Sequence, residues 1–321
     1  MINLYWPIYK NLESEFNKLM FEIHINDEQL KVYSPKIGDL ITRAVMDIES
    51  ITNDLYFING GIEKAYFKYD EDGLKYLEKT FALSQKVVNI TSTNCYITDR
   101  VLIPFKKNET RTNGTRQTYS WNNAYQNIKH DRAKNLRFAS IKYLFDAMAA
   151  LYLLNIYFKD EEFDVGKETG GLTFPHSQGS DIFSIMLYTG SAGLSVDKSF
   201  HKSEDFNKYV YRVAAHDNAT TDSALEAMKE ADEKKKQLLL HHVATLASED
   251  NSLVLNKSPE EIMTWIADEN QKTFNDFLVQ SMGDPLVYSQ KLLALTYKAI
   301  IAKEPVLPTE DIIPDVANIQ K

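Results

Sequence analysis

The chain has 321 residues, 36 of them basic and 45 acidic, for a formal charge of −9, with 44% hydrophobic residues and one cysteine. That length corresponds to roughly two average domains or one large one, and the composition allows a sizeable core, which excludes a disordered or repeat-built chain. One cysteine excludes a disulfide framework and a four-cysteine zinc site. The acidic balance argues against a protein that coats nucleic acid over its whole surface.

In chain order, residues 6–23 carry Trp6, Tyr9, Phe16, Leu19, Met20 and Ile23 as a helical apolar stripe. A second helix starts at Ser34-Pro35, an N-cap followed by proline at the first helical position, and Asn59-Gly60-Gly61 ends it. A shorter helix is expected over 72–86. The run 87–97 and Val101-Leu102-Ile103 are rich in β-branched residues and read as two short strands or a hairpin. Residues 106–118 are polar and read as a mobile loop. Helices resume over 121–132 and 136–158.

The span 159–181 is charged and glycine-rich, and 181–189 and 206–214 have strand-like composition. Three further helices are expected over 221–248, 259–281 and 286–302. The proline-bearing tail from Pro305 reads as extended. The expected fold class is therefore mainly α, a multi-helix bundle with a small inserted β element. Its parts are a helical bundle over 1–158 with a β insertion near 87–106, a connector with short strands over 159–215, a C-terminal helical region over 216–303, and a tail over 304–321.

The most apolar stretch, 138–158, is interrupted by Lys142 and Asp146. The charge-free run after Asp146 is shorter than the roughly 20 residues of a membrane span. It reads as a buried core helix, with no membrane association. The first eight residues lack the basic and apolar regions of an export signal, which makes a cytoplasmic location the expectation.

Between Arg100 and Lys142 ten basic residues face only Glu109 and Asp131, a local charge of +8 that leaves −17 for the rest of the chain. Phe105, Tyr119, Trp121 and Tyr125 are interleaved with these charges. Cations that hold a backbone and rings that stack on bases suit single-stranded RNA. The alternative is a solvated basic face matched to acidic patches elsewhere or to a second subunit.

Within this window the segment 121–132 sorts on a helical wheel. Trp121, Ala124, Tyr125 and Ile128 make a buried side, while Asn123, Asn127, His130 and Lys134 make a polar stripe. Arg132 follows Ile128 by four residues and extends the buried side, where a guanidinium needs a partner. Asp146, or else Glu49, is the expected structural partner. His130 carries an imidazole and suits acid/base work. Lys129 and Arg132 would hold a phosphate, and Asn127 would orient the reacting group. A surface or interface role for His130 remains the alternative.

The multi-helix pattern with Asn127-Ile128-Lys129-His130-Asp131-Arg132 ahead of an apolar helix resembles the HEPN superfamily. The resemblance covers residues 1–158. It implies a helical bundle of a prokaryotic antiviral-defence or toxin system, working as a homodimer and often a metal-independent ribonuclease. His130 would then be the acid/base, Arg132 the phosphate-stabilising residue and Asn127 a helper. The family pattern is Arg, then four to six intervening residues, then His; here His130 precedes Arg132, about 200° away on an ideal helix.

No histidine pair has chelating spacing, Gly190-Ser191-Ala192-Gly193 is neither a phosphate loop nor a nucleophile elbow, and Cys95 reads as a small core residue. No cofactor or metal is expected. The reading is an RNA-binding, HEPN-like protein and metal-independent endoribonuclease. Its catalytic set is His130, Arg132 and Asn127; its substrate contacts are Lys129, Lys134, Asn123, Arg116 and Arg111. The competing reading is a non-catalytic scaffold that forms an oligomer or docks a partner protein.

Overall fold

The computed structural model describes residues 3–189 except 113 and 168–169, residues 205–216, scattered positions between 222 and 261, and residues 295–303. The first helix, α1 (Tyr5–Glu22), buries Tyr9, Leu12, Phe16, Leu19 and Met20 along one stripe. Helix α2 (Pro35–Ile58) opens on Ser34, whose hydroxyl accepts from the Ile37 N–H at 3.2 Å. Helix α3 (Leu74–Phe81) comes after a single π-helical turn at Tyr69–Gly73.

Short strands and helices then frame the centre of the chain. Strands β1 (Val88–Ile90) and β2 (Val101–Leu102) pair antiparallel, and β3 (Glu109–Thr110) and β4 (Gln117–Thr118) form a hairpin. Next come helix α4 (Ser120–His130), the one-turn α5 (Arg132–Asn135) and the long α6 (Ile141–Lys159). Helix α6 is apolar on nearly every side because it is covered on nearly every side: α1, α2 and α4 pack on it, most extensively α2. By length and composition it is the one described helix able to cross a membrane, yet 78% of its apolar window is buried within the protein. Small residues permit the close approach: a Cβ at Gly38 would lie 3.1 Å from the Ala139 Cβ.

The remaining strands are β5 (Phe163–Gly166), β6 (Phe183–Ile185), β7 (Leu187–Tyr188), β8 (Tyr211–Ala215) and β9 (Tyr297–Ile301). Strand β6 completes a three-stranded sheet in the order β2-β1-β6, and the others form a four-stranded sheet in the order β5-β9-β8-β7. Strand β9 runs antiparallel to both neighbours, with Ala299 opposite Phe163 and Val213, while β7 and β8 are parallel. One hydrophobic core runs from Tyr9 through α6 to Ile301.

Glu13 of α1 is fully buried at the junction of these layers. Its carboxylate accepts from the Tyr9 hydroxyl at 2.8 Å, from the Ser180 hydroxyl, and from the Asp181 and Ile182 amides at 3.0 and 3.3 Å, and Lys10 pairs with it. A buried carboxylate is tolerated because its lone pairs are filled.

The expected mainly α fold class is thus corrected: the architecture is mixed α/β, with three small sheets against the helical core. Two-residue strands leave no alternation to detect. The expected helix over 286–302 contains β9, a five-residue, mostly apolar strand whose partners lie far back in the sequence. The expected loop over 106–118 contains the β3–β4 hairpin. The helices expected over 221–248 and 259–281 and the tail over 304–321 lie almost wholly outside the described residues.

Candidate functional site

The last turns of α4 form one wall of a pocket of about 260 Å³, and the β3–β4 hairpin forms the other. Trp121, Ala124, Tyr125 and Ile128 fix the helix by their burial, with the Trp121 indole N–H donating to the Pro104 carbonyl at 2.8 Å. The opposite face then has to meet the hairpin. Asn123, Gln126, Asn127 and His130 come from α4, Arg111, Thr112 and Thr118 from the hairpin, and Asn135 from α5.

A ladder of amides lines the wall. The Asn123 Nδ2 donates to Glu109 Oε2 at 3.0 Å, while its Oδ1 accepts from the Thr112 N–H and hydroxyl at 3.4 Å each. The Asn127 Nδ2 donates to Thr112 Oγ1 and to the Asn123 carbonyl, both at 2.8 Å, and to Asn123 Oδ1 at 3.2 Å. Asn135 Nδ2 closes the end by donating to the Asn127 carbonyl at 3.2 Å. The His130 ring stands exposed at the rim, without a hydrogen bond among the described residues.

Four of the residues singled out from sequence therefore meet here: His130, Asn127, Asn123 and Arg111. The others do not. Helix α4 stops at His130 because Asp131 leaves helical geometry (φ −154°, ψ 83°) and instead caps α5, accepting from the Lys134 N–H at 3.2 Å. Arg132 is thereby turned out of the wheel position that placed it on the buried side. The expected burial of Arg132 against Asp146 or Glu49 is corrected: its guanidinium pairs with Asp39 at 2.7 Å, and both side chains are exposed. Lys134 pairs with Asp131 at 3.3 Å. Arg116 pairs with Glu71, and Lys129 lies 5.3 Å over the Tyr125 ring.

Asp146 and Glu49 take separate places. Asp146 accepts from the Ser120 hydroxyl at 2.5 Å, and burial pushes its carboxyl up to about 6. Half-buried Glu49 is also raised by desolvation, against the pull of the Lys129 ammonium. Three of the window's five arginines are answered from outside it, since Asp39, Asp70 and Glu71 each take one. Arg111 belongs to both systems, bonding Asp70 Oδ2 at 3.1 Å while lining the pocket.

Sequence reasoning passed over Thr112, Thr118, Gln126, Asn135 and the role of Glu109. Gln126 was within reach, since it precedes His130 by four residues on α4. The hairpin residues were not, because only the folded β3–β4 pair brings them to the helix. Among the described residues no three His, Cys, Asp or Glu side chains are grouped to hold a metal ion. The chain matches no family model, no curated protein and no solved structure.

Proposed function

We propose that the α4–hairpin pocket binds one unpaired nucleotide of single-stranded RNA, and that His130 acts there as the acid/base of a ribonuclease. The observation that carries this reading is the meeting, around one cavity, of an exposed imidazole, a guanidinium and several amides. Amide side chains offer donors and acceptors to base edges, which is how unpaired bases are read. A pocket of about 260 Å³ suits one small ligand rather than a duplex. His130 takes the proton of a ribose 2′-hydroxyl as that oxygen bonds to the adjacent phosphorus; the phosphorus–O5′ bond breaks, and the leaving oxygen takes a proton from solvent water. Arg111 takes the part that the sequence assigns to Arg132, because it is the cation that shares the cavity with the imidazole. The reading keeps the HEPN likeness as its source for a homodimeric defence ribonuclease.

The test is incubation of wild type, His130→Ala and Arg111→Ala with mixed single-stranded RNAs in EDTA. Cleavage by wild type is expected to vanish in His130→Ala with the melting temperature within about 2 °C, since an exposed, unbonded ring supports little structure. Arg111→Ala is expected to weaken binding. Because half of the ten cations of the window already have acidic partners, the slope of log affinity against log salt is expected to stay near about −1 to −2. Cleavage that survives in His130→Ala would overturn the catalytic assignment, and absence of RNA binding by wild type would overturn the whole reading.

A second reading has one observation of its own. Phe57, Ile58, Ile62 and Tyr66 are exposed around the end of α2, with Tyr66 91% accessible. Such side chains suit an interaction module, which sedimentation of the wild type beside Ile62→Ser and Tyr66→Ser would reveal.

A further inference from the structure

The direction of the amide ladder is not free. An ionised carboxylate only accepts hydrogen bonds, and a backbone N–H only donates. Glu109, from β3, faces one side of the Asn123 amide at 3.0 Å, and the Thr112 N–H faces the other at 3.4 Å. Turning Asn123 over would set oxygen against oxygen at Glu109 and donor against donor at Thr112. Lys142, 3.5 Å from Glu109 Oε1, holds the carboxylate in place from α6. Asn123 therefore presents its oxygen to Asn127, whose Nδ2 is held inward chiefly by the Asn123 backbone carbonyl, an acceptor only, and by Thr112 Oγ1, both at 2.8 Å, with Asn123 Oδ1 at 3.2 Å. This leaves the Asn127 Oδ1, which accepts nothing within the protein and is not sealed from the cavity, as the atom Asn127 offers to a ligand.

We infer that Asn127 is the specificity-determining residue of the pocket. With its Nδ2 held inward it offers the pocket an acceptor, and so selects a nucleobase bearing an exocyclic amino group, as adenine and cytosine do, over one with a carbonyl there. Arg111 and the Gln126 amide supply donors in the same cavity for the neighbouring ring nitrogen. A carbonyl placed against Asn127 Oδ1 would meet an acceptor and leave both oxygens unpaired, the costly outcome for a desolvated polar group. The inference rests on the proposed RNA site and adds which bases it takes.

Two matched pairs of short unstructured RNAs isolate the amino group: one with a central adenosine or inosine, the other with a central cytidine or uridine. Wild type is expected to bind the amino member of each pair about tenfold more tightly. Glu109→Gln, whose amide oxygen can still face Asn123, is expected to keep that preference. Asn127→Leu, which removes the acceptor, is expected to bring each ratio below about threefold. A merely structural role would weaken all four RNAs alike and leave the ratios unchanged. Should Asn127→Leu fail to fold, Asn127→Ala, which removes the same acceptor, must erase the preference. Binding by wild type without preference, or preference for the carbonyl member, overturns the inference while the RNA site stands. Binding of none of the four overturns the site and the inference together.

Discussion

Asp146 and Lys86 are buried ionisable groups whose environments oppose their charged forms, and their effects on stability run through different pH ranges. The Asp146 carboxyl is raised to about 6, so between about pH 4 and 6 the folded protein holds a proton that the unfolded chain has released. Stability from this group is full in acid and declines as pH rises through that window. Asp146→Asn, which can still accept from Ser120, is expected to raise stability at pH 7 by about 1–3 kcal/mol and to flatten the pH 4–6 slope in urea unfolding. Lys86 is 1% exposed, donates to the Tyr209 carbonyl at 2.6 Å, and is lowered to about 7 by desolvation. Here the unfolded chain binds the extra proton between about pH 7 and 10.5, so stability rises with pH across that range. Wild type is expected to gain in urea midpoint from pH 7 to 9.5, and Lys86→Met is not. Neither group was legible in this role from sequence. Asp146 stood out as an acid in an apolar run, but its partner was the serine that opens α4, twenty-six residues back.

At the level of elements, the sequence spoke clearly wherever local chemistry decides the outcome. Ser34-Pro35 marks the start of α2 in sequence and structure alike, and Ser34→Ala is expected to cost about 1 kcal/mol in chemical denaturation by removing the cap to Ile37. The polar stripe of α4 was equally readable, because three of its four members share one face without help from elsewhere. Lys134 fell away through the break at Asp131, whose capping geometry replaces continuation of the helix. The hairpin opposite was invisible, since two-residue strands carry no period and take their place from distant pairs. Arg111–Asp70 and Arg116–Glu71 pin it to the turn before α3. These pairs are largely exposed and contribute little to global stability. Asp70→Asn is therefore expected to leave the melting temperature nearly unchanged while hydrogen exchange at the hairpin amides accelerates. Unchanged exchange would show that the hairpin is held by its contacts with α4 alone.

For the molecule as a whole, what the sequence conveyed was the helical core, and what it concealed was the sheet that closes against it. An α6 that is apolar on nearly every side announces a centre, because such a helix needs neighbours all round. Strand β9 announces nothing: Tyr297-Lys298-Ala299-Ile300-Ile301 fits a buried helix as well as a strand, and only β5 and β8 decide between them. Long-range pairing of this kind lies beyond any local window.

Glu13 ties the order of synthesis to the order of packing, because distant parts of the chain share one core. Its acceptor sites are filled by a hydroxyl and two amides that are synthesised some 170 residues later. A ribosome that has released only α1 to α6 has made the described helices of the centre, yet α1 cannot dock without burying a carboxylate whose partners are Tyr9 and Lys10 alone. A fragment ending at residue 160 should therefore show helical circular dichroism but no cooperative melting transition, and native packing would appear only once the stretch around Ser180 is supplied.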